Sequence, residues 1–231
     1  MAEQKRYFVE NKEITESITK IRRLIRASMN GVTVESMQEK GLNYEKNFGV
    51  ALPRLREIAT QFEPNLQLAT QLWLLGIRET MIIGSLLVPM HEFSCQNALE
   101  WHNKITTTEL AEIISMTLFS KLPEVNQFIA IISADSDPIA QLTALCTATR
   151  VSESLPDELI QQIIANLRSS PQRSYTTANA LSNFLIHIAS EDKTHITLIE
   201  SELHKIKEEK EAYSSAIVEC VTKELSFLKQ L

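Results

Sequence analysis

Residues 47–89, NFGVALPRLREIATQFEPNLQLATQLWLLGIRETMIIGSLLVP, decide the fold of this chain. Their apolar side chains recur at the spacing of one helix face, and Pro53, Pro64, Gly76 and Pro89 divide them into three short helices. Helices this short nucleate poorly and bury only one face, so they are stable only when they stack on one another. The stretch therefore predicts a helical-repeat protein.

The helical pattern continues on both sides of this stretch. Upstream, apolar residues recur at helical spacing from Lys12 onward, and downstream a run of five residues follows the i, i+3, i+4, i+7, i+8 pattern of one helix face: Leu110, Ile113, Ile114, Thr117 and Leu118. Pairs of the predicted helices recur about every 30–40 residues, the length of a HEAT-like unit. We predict an all-α fold of HEAT-like helical repeats that form a curved α–α superhelix. A helical bundle without repeats is the alternative.

The predicted boundaries follow from this pattern. Residues 1–11 are predicted to be a flexible lead-in, and residues 12–231 a single HEAT-like repeat domain. Thr33 is predicted to cap a short helix over residues 34–40. Asp137 is predicted to cap another helix, since Pro138 follows it at the first helical position.

Composition excludes several classes of protein. The 231 residues include only 5 Gly and 7 Pro, too few for the tight turns of an all-β chain. No apolar run approaches the roughly 20 residues that cross a bilayer, and the charged N-terminus lacks the apolar core of a signal peptide. The three cysteines are far apart and predict reduced thiols in a cytoplasmic protein. No metal-ligand spacing or nucleotide-binding motif is present, so we predict no metal and no cofactor.

Charge is distributed unevenly along the chain. The net charge is −6, but residues 1–60 carry 11 basic and 8 acidic side chains, whereas residues 61–231 carry 12 and 21. Four of the basic residues lie on one predicted helix: Lys20, Arg22, Arg23 and Arg26. This helix has two interpretations, a surface for a phosphate backbone or an ordinary solvated face.

The stretch that decides the fold also carries a family resemblance. Four short segments resemble the AlkD-type DNA alkylation repair family: Asn47–Val50, Leu55-Arg56, Leu72-Trp73 and Arg78-Glu79. Residues 31–42 fit the opening helices of this family. The resemblance implies HEAT-like repeats that excise alkylated purines. It also implies an Asp and Trp residues on the concave surface, with an Arg on the DNA backbone. The Arg78-Glu79 pair matches the family, although a structural ion pair explains it equally.

When the functional positions of the family are matched residue by residue to this sequence, the resemblance predicts an active site that lacks most of the usual side chains. The aromatic position of the family falls on Thr108 and its Asp position on Glu112, while its Arg falls on Gln141 or Leu142 and its second Trp on Asn183. A carboxylate can stabilise the oxocarbenium character that develops as the glycosidic bond breaks. Glu112 is therefore the one candidate catalytic residue, with a solvated acidic helix face as the alternative.

Two functions from different classes follow. The first is an AlkD-like protein that binds damaged or structured DNA through its concave face, with weak or no glycosylase activity. Its predicted binding residues are Thr108, Gln141, Asn183, Arg22, Arg23 and Arg26. The second is a protein-interaction scaffold with no nucleic-acid role, which the acidic net charge favours. Neither function involves a membrane.

Overall fold

The computed structural model describes residues 11–172, 174–209 and 212–230, in which the regular structure is entirely helical. This confirms the predicted all-α class. Thirteen α-helices lie in these ranges, together with three single 3₁₀ turns: α1 Lys12–Ala27, α2 Gly31–Glu39, α3 Leu52–Ala59, α4 Leu66–Leu74, α5 Arg78–Leu86, α6 Cys95–His102, α7 Thr108–Thr117, α8 Val125–Ser133, α9 Pro138–Arg150, α10 Asp157–Ser169, α11 Tyr175–Glu191, α12 His195–Lys207 and α13 Ala212–Leu228.

The chain divides into two compact units, Met1–Glu92 and Phe93–Leu231. Helices α1–α5 belong to the first, the N-terminal unit, and helices α6–α13 to the second, the C-terminal unit. Residues 1–10 of the predicted lead-in lie outside the described residues. Asn11, the last residue of that lead-in, caps α1, because its side chain accepts a hydrogen bond from the Glu13 N–H.

The N-terminal unit is built on the three short helices predicted from residues 47–89. Helix α5 packs against α3 and α4, and α1 packs against α4. Pro53 lies in the first turn of α3, as predicted. Gly84 allows α5 to approach α4 closely, because a Cβ there would lie 2.9 Å from the carbonyl oxygen of Ala69. The buried core comes from all of these helices: Ile21, Ile25, Leu55, Ile58, Leu72, Trp73, Ile82 and Ile83.

The C-terminal unit has two layers of helices. Helices α7, α9, α11 and α13 pack side by side in one layer, and α6, α8, α10 and α12 follow one another in the second. Each helix of one layer is followed in the chain by a helix of the other, which is the arrangement of stacked helical repeats. The apolar faces of α8–α13 meet in one continuous core that includes Leu145, Ile160, Phe184 and Ile199.

Two predicted helix starts have different outcomes. Asp137 caps α9 and Pro138 is its first residue, as predicted. The prediction for Thr33 is wrong, since α2 begins at Gly31 and its cap is Asn30, whose side chain accepts from the Thr33 N–H at 3.2 Å. Asparagine caps helices as well as threonine does, and Gly31 is tolerated at a first helical position. In the described ranges no helix is long and apolar enough to span a bilayer.

Candidate nucleic-acid interface

Helix α1 carries the cationic surface of the N-terminal unit. Ile14, Ile21 and Ile25 bury one face of the helix, which places Arg23 and Arg26 in solvent and leaves Arg22 half-buried. The three arginines and Thr19 line a shallow concavity of about 410 Å³. Within the part of the chain that the structure describes, no carboxylate forms an ion pair with these arginines.

The charges of α1 are separated along its length. Both acidic residues of the helix lie in its first half: Glu13 is in the first turn, where it complements the helix dipole, and Glu16 lies 3.9 Å from the Lys12 ammonium. The segment from Lys20 to Val34 contains four cations and no carboxylate. Lys20 lies over the ring of Phe62, with its Nζ 5.1 Å from the ring centroid. We call residues 20–26 the cationic half of α1. It is the strongest candidate phosphate-binding surface in the described residues, because Lys20, Arg23 and Arg26 are exposed and no carboxylate forms an ion pair with its arginines.

Thr108 and Glu112 lie one turn apart on α7 in the C-terminal unit. Thr107 caps this helix, which fixes the start of the turn that carries both residues. Thr108 is half-buried, and Glu112 is exposed. Helix α7 packs against α9, on which Cys146 lies. Burial raises the pKa of Cys146 to about 11, and the negative charge of Glu112 contributes to this rise. Glu112 thus lies exposed on a helix that packs against α9.

Gln141 and Asn183 have different surroundings. Gln141 is 2% exposed on α9, and its side-chain N–H donates to the carbonyl oxygen of Asp135, in the connection between α8 and α9, at 3.0 Å. Asn183 is exposed on α11, one turn after the exposed Asn179. Helix α9 packs against both α7 and α11. Of the residues predicted in the C-terminal unit, Thr108, Glu112 and Asn183 therefore reach solvent and Gln141 does not.

The Arg78-Glu79 pair is buried in the N-terminal unit and holds a neighbouring loop in place; we call it the buried clip. Arg78 is 2% exposed and Glu79 0%, and their side chains lie 3.0 Å apart. The Glu79 carboxylate accepts hydrogen bonds from the backbone N–H groups of Phe48 and Val50, and Arg78 donates to the Val50 carbonyl oxygen. The pair thus fixes the loop over residues 47–50. The structural interpretation of this pair agrees with its geometry.

Neither tryptophan offers a surface for stacking a base. Trp73 is 1% exposed in the N-terminal unit, which agrees with the apolar stripe around it. Trp101 is 6% exposed and packs edge-to-face against Phe93, with the ring centroids 5.0 Å apart. No group of three metal-ligating side chains occurs among the described residues.

Sequence reasoning missed two exposed apolar residues beside the cationic half of α1. Met29 and Val32 are 65% and 77% exposed, respectively. A signal for them was present, since they flank Asn30-Gly31, a helix boundary where neither helix can bury them.

A model of a known protein family matches most of the chain. Residues 21–208 match the family model described as DNA alkylation repair enzyme. The chain belongs to the DNA alkylation repair enzyme family. The matched range covers most of both units and includes Arg22, Arg23 and Arg26 of the cationic half of α1, the buried clip, and the predicted site residues on α7, α9 and α11.

A solved structure has a fold similar to that of this DNA alkylation repair family protein. It is described as a new family of proteins related to the HEAT-like repeat DNA glycosylases with affinity for branched DNA structures. The two chains are 19% identical, the match covers 90% of this chain and 93% of the other, and the TM-score is 0.66. This likeness confirms the predicted HEAT-like helical fold. No curated protein sequence matches the chain.

Proposed function

We propose that this family member binds damaged or structured DNA through the cationic half of α1 and has weak or no glycosylase activity. The observation that carries the proposal is the run of four cations without a carboxylate over residues 20–34, in a chain whose net charge is −6. A duplex or a branched DNA presents closely spaced phosphates, and phosphate contacts supply most of the affinity of such surfaces. The related protein of similar fold has affinity for branched DNA, which supports a DNA ligand here.

The low catalytic capacity follows from the side chains of the C-terminal unit. A cationic alkylated base is held well by an aromatic face, but Thr108 and Asn183 cannot supply one, and both tryptophans are buried. Glu112 is the carboxylate proposed to support any residual excision. Its side chain is one methylene longer than an Asp, which displaces the charge by about 1.5 Å, enough to impair catalytic geometry.

The direct test measures binding and excision with the full chain. Fluorescence anisotropy with a labelled duplex and a labelled three-way junction is expected to give binding that weakens steeply as salt increases. Release of methylated purines from N7- or N3-methylated DNA is expected to be slow or undetectable. Rapid excision that disappears in Glu112→Gln would contradict the proposed loss of activity. Excision that is unchanged in that variant would exclude Glu112 as the catalytic carboxylate.

One observation favours the second function, a protein-interaction scaffold. Residues 61–231 carry 21 acidic and 12 basic side chains, so most of the chain repels a polyanion. The same titration separates the two functions, since a scaffold without a nucleic-acid role is expected to bind neither DNA even at low salt.

A further inference from the structure

The connection between α1 and α2 ends in an exposed apolar tip. We use this name, the α1–α2 tip, for residues 29–32, in which Met29 is 65% and Val32 77% exposed. Single exposed apolar residues are common on protein surfaces. Here two large ones flank a tight connection between two helices of the N-terminal unit, directly after the cationic half of α1.

The tip is held by hydrogen bonds on several sides. The Asn30 N–H donates to the carbonyl oxygen of Phe48 at 2.9 Å, and the Asn30 side chain accepts from the Thr33 N–H. The Arg54 guanidinium donates to the Ser28 hydroxyl at 3.1 Å. Met29 and Val32 therefore protrude from a fixed backbone.

The support of the tip extends into the core. Gly49 lies against it so closely that a Cβ at this residue would be 2.2 Å from the Asn30 carbonyl oxygen. The backbone on either side of Gly49 is held by Glu79, which accepts from the N–H groups of Phe48 and Val50. The buried clip thus fixes the loop, and the loop fixes the tip. A rigid tip loses little conformational entropy when it binds.

The charge beside the tip selects an anionic partner. Arg26 lies in the turn that leads to it, because the Met29 N–H donates to the Arg26 carbonyl oxygen at 3.3 Å. No carboxylate occurs from Lys20 to Val34. A partner must therefore combine negative charge with an accessible apolar surface. DNA with an open base step does so, since its phosphates flank exposed base faces, and apolar side chains inserted between base steps are a known means of DNA recognition.

We infer that the α1–α2 tip enters an open base step of DNA, where Met29 and Val32 contact the base faces while Arg22, Arg23 and Arg26 contact the flanking phosphates. The inference rests on the proposed function and specifies its ligand. Entry into a paired duplex requires unstacking, which costs a few kcal/mol per step, whereas a branch point already contains unstacked bases. The tip thus favours branched DNA over a continuous duplex.

The test uses the full chain and two DNA molecules, a three-way junction with 2-aminopurine at the branch point and a paired duplex of the same length. Wild-type protein is expected to increase the 2-aminopurine fluorescence when it binds the junction. The double variant Met29→Gln/Val32→Thr conserves side-chain size but is polar. It is expected to lose this increase and to reduce the junction-to-duplex affinity ratio about tenfold, with duplex affinity unchanged.

Leu74→Gln is the matched control, because Leu74 is 45% exposed in the same unit but lies at the end of α4. It is expected to behave as wild type. If wild-type protein binds DNA and the double variant keeps both the fluorescence increase and the affinity ratio, the inference is wrong while the proposed function stands. If wild-type protein binds neither DNA at low salt, the proposed function fails and the inference fails with it.

Discussion

At the scale of single residues, Glu79 is the most constrained carboxylate of the N-terminal unit. It is fully buried beside Arg78 and accepts hydrogen bonds from two backbone N–H groups of the neighbouring loop. Removing one partner of a buried, hydrogen-bonded charge pair leaves the other charge uncompensated. The side chain is therefore needed for folding rather than for contact with a ligand.

The change Glu79→Gln is expected to lower the free energy of unfolding by about 3–5 kcal/mol, because the Arg78 charge stays buried without its counter-charge. Urea unfolding followed by circular dichroism measures the change. Glu57→Gln is the control, since its ion pair with Arg54 is largely exposed and is worth about 1 kcal/mol or less. Equal effects of the two substitutions would contradict the role of the clip.

His102 is a buried titratable residue of the C-terminal unit. Its Nε2 lies 3.2 Å from the Thr143 hydroxyl, and its ring lies near those of Phe119 and Phe128. Burial lowers its pKa below the ordinary value of 6.5, although Asp137 and Asp135 oppose the shift. Because the folded pKa is the lower one, the unfolded chain binds the proton first as pH falls.

The free energy of unfolding is therefore expected to decrease as pH falls from 7 through 6.5 and toward the folded pKa of His102. In His102→Gln this decrease should be smaller, since a glutamine can still hydrogen-bond but does not titrate. Urea unfolding at several pH values between 7 and 5 measures it, with His91→Gln as the exposed control. A pH dependence that is identical in wild type and His102→Gln would exclude His102 as its source.

At the scale of elements, the loop over residues 47–50 connects the buried clip to the α1–α2 tip. Gly49 has a φ of +69°, a conformation that side chains with a Cβ adopt rarely, and it also packs against the Asn30 backbone. Gly41 has a similar φ of +78°, but nothing lies within 4 Å of the position of its Cβ. Substituting each of the two glycines by alanine therefore separates the energetic effect of backbone strain from that of close packing.

Gly41→Ala is expected to cost only the strain of a positive φ, about 1 kcal/mol. Gly49→Ala is expected to cost at least about 3 kcal/mol, because strain and a backbone clash act together. Thermal or urea unfolding of both variants checks this difference. If the two variants lose similar amounts of unfolding free energy, Gly49 is required for its φ alone, and its close packing against the α1–α2 tip does not contribute to stability.

At the scale of the whole molecule, the fold was predictable because helical periodicity is a local property. The stripes around Leu55, Leu72 and Ile82 required only the spacing of apolar residues, and each became a buried face. The cap of α2 was assigned wrongly because Asn30 and Thr33 are both residue types that cap helices, and the backbone geometry decides which of them does so.

The candidate site was less predictable, because it depends on which polar residues the tertiary packing buries. Nothing in the sequence separates Gln141 from Asn183, yet the Gln141 side chain donates to the Asp135 carbonyl oxygen between α8 and α9 while Asn183 lies in solvent. The helix boundary at Asn30-Gly31 explains why Met29 and Val32 are exposed, but their fixed position depends on the loop over residues 47–50, which Glu79 holds from about 30 residues further along the chain. Such long-range support leaves no periodic signal in the sequence.

The central claim, that this family member binds DNA through the cationic half of α1, is tested most directly by the salt dependence of its affinity for a three-way junction. We expect the slope of log Kd against log salt to be smaller in Arg22→Gln/Arg23→Gln/Arg26→Gln than in wild type by about 2–3, at about 0.9 for each phosphate that the variant no longer neutralises. The matched control Lys104→Gln/Lys121→Gln/Lys193→Gln removes the same charge from exposed residues of the C-terminal unit and should keep the wild-type slope. An unchanged slope in the arginine variant, or an equal reduction in both variants, would contradict the claim.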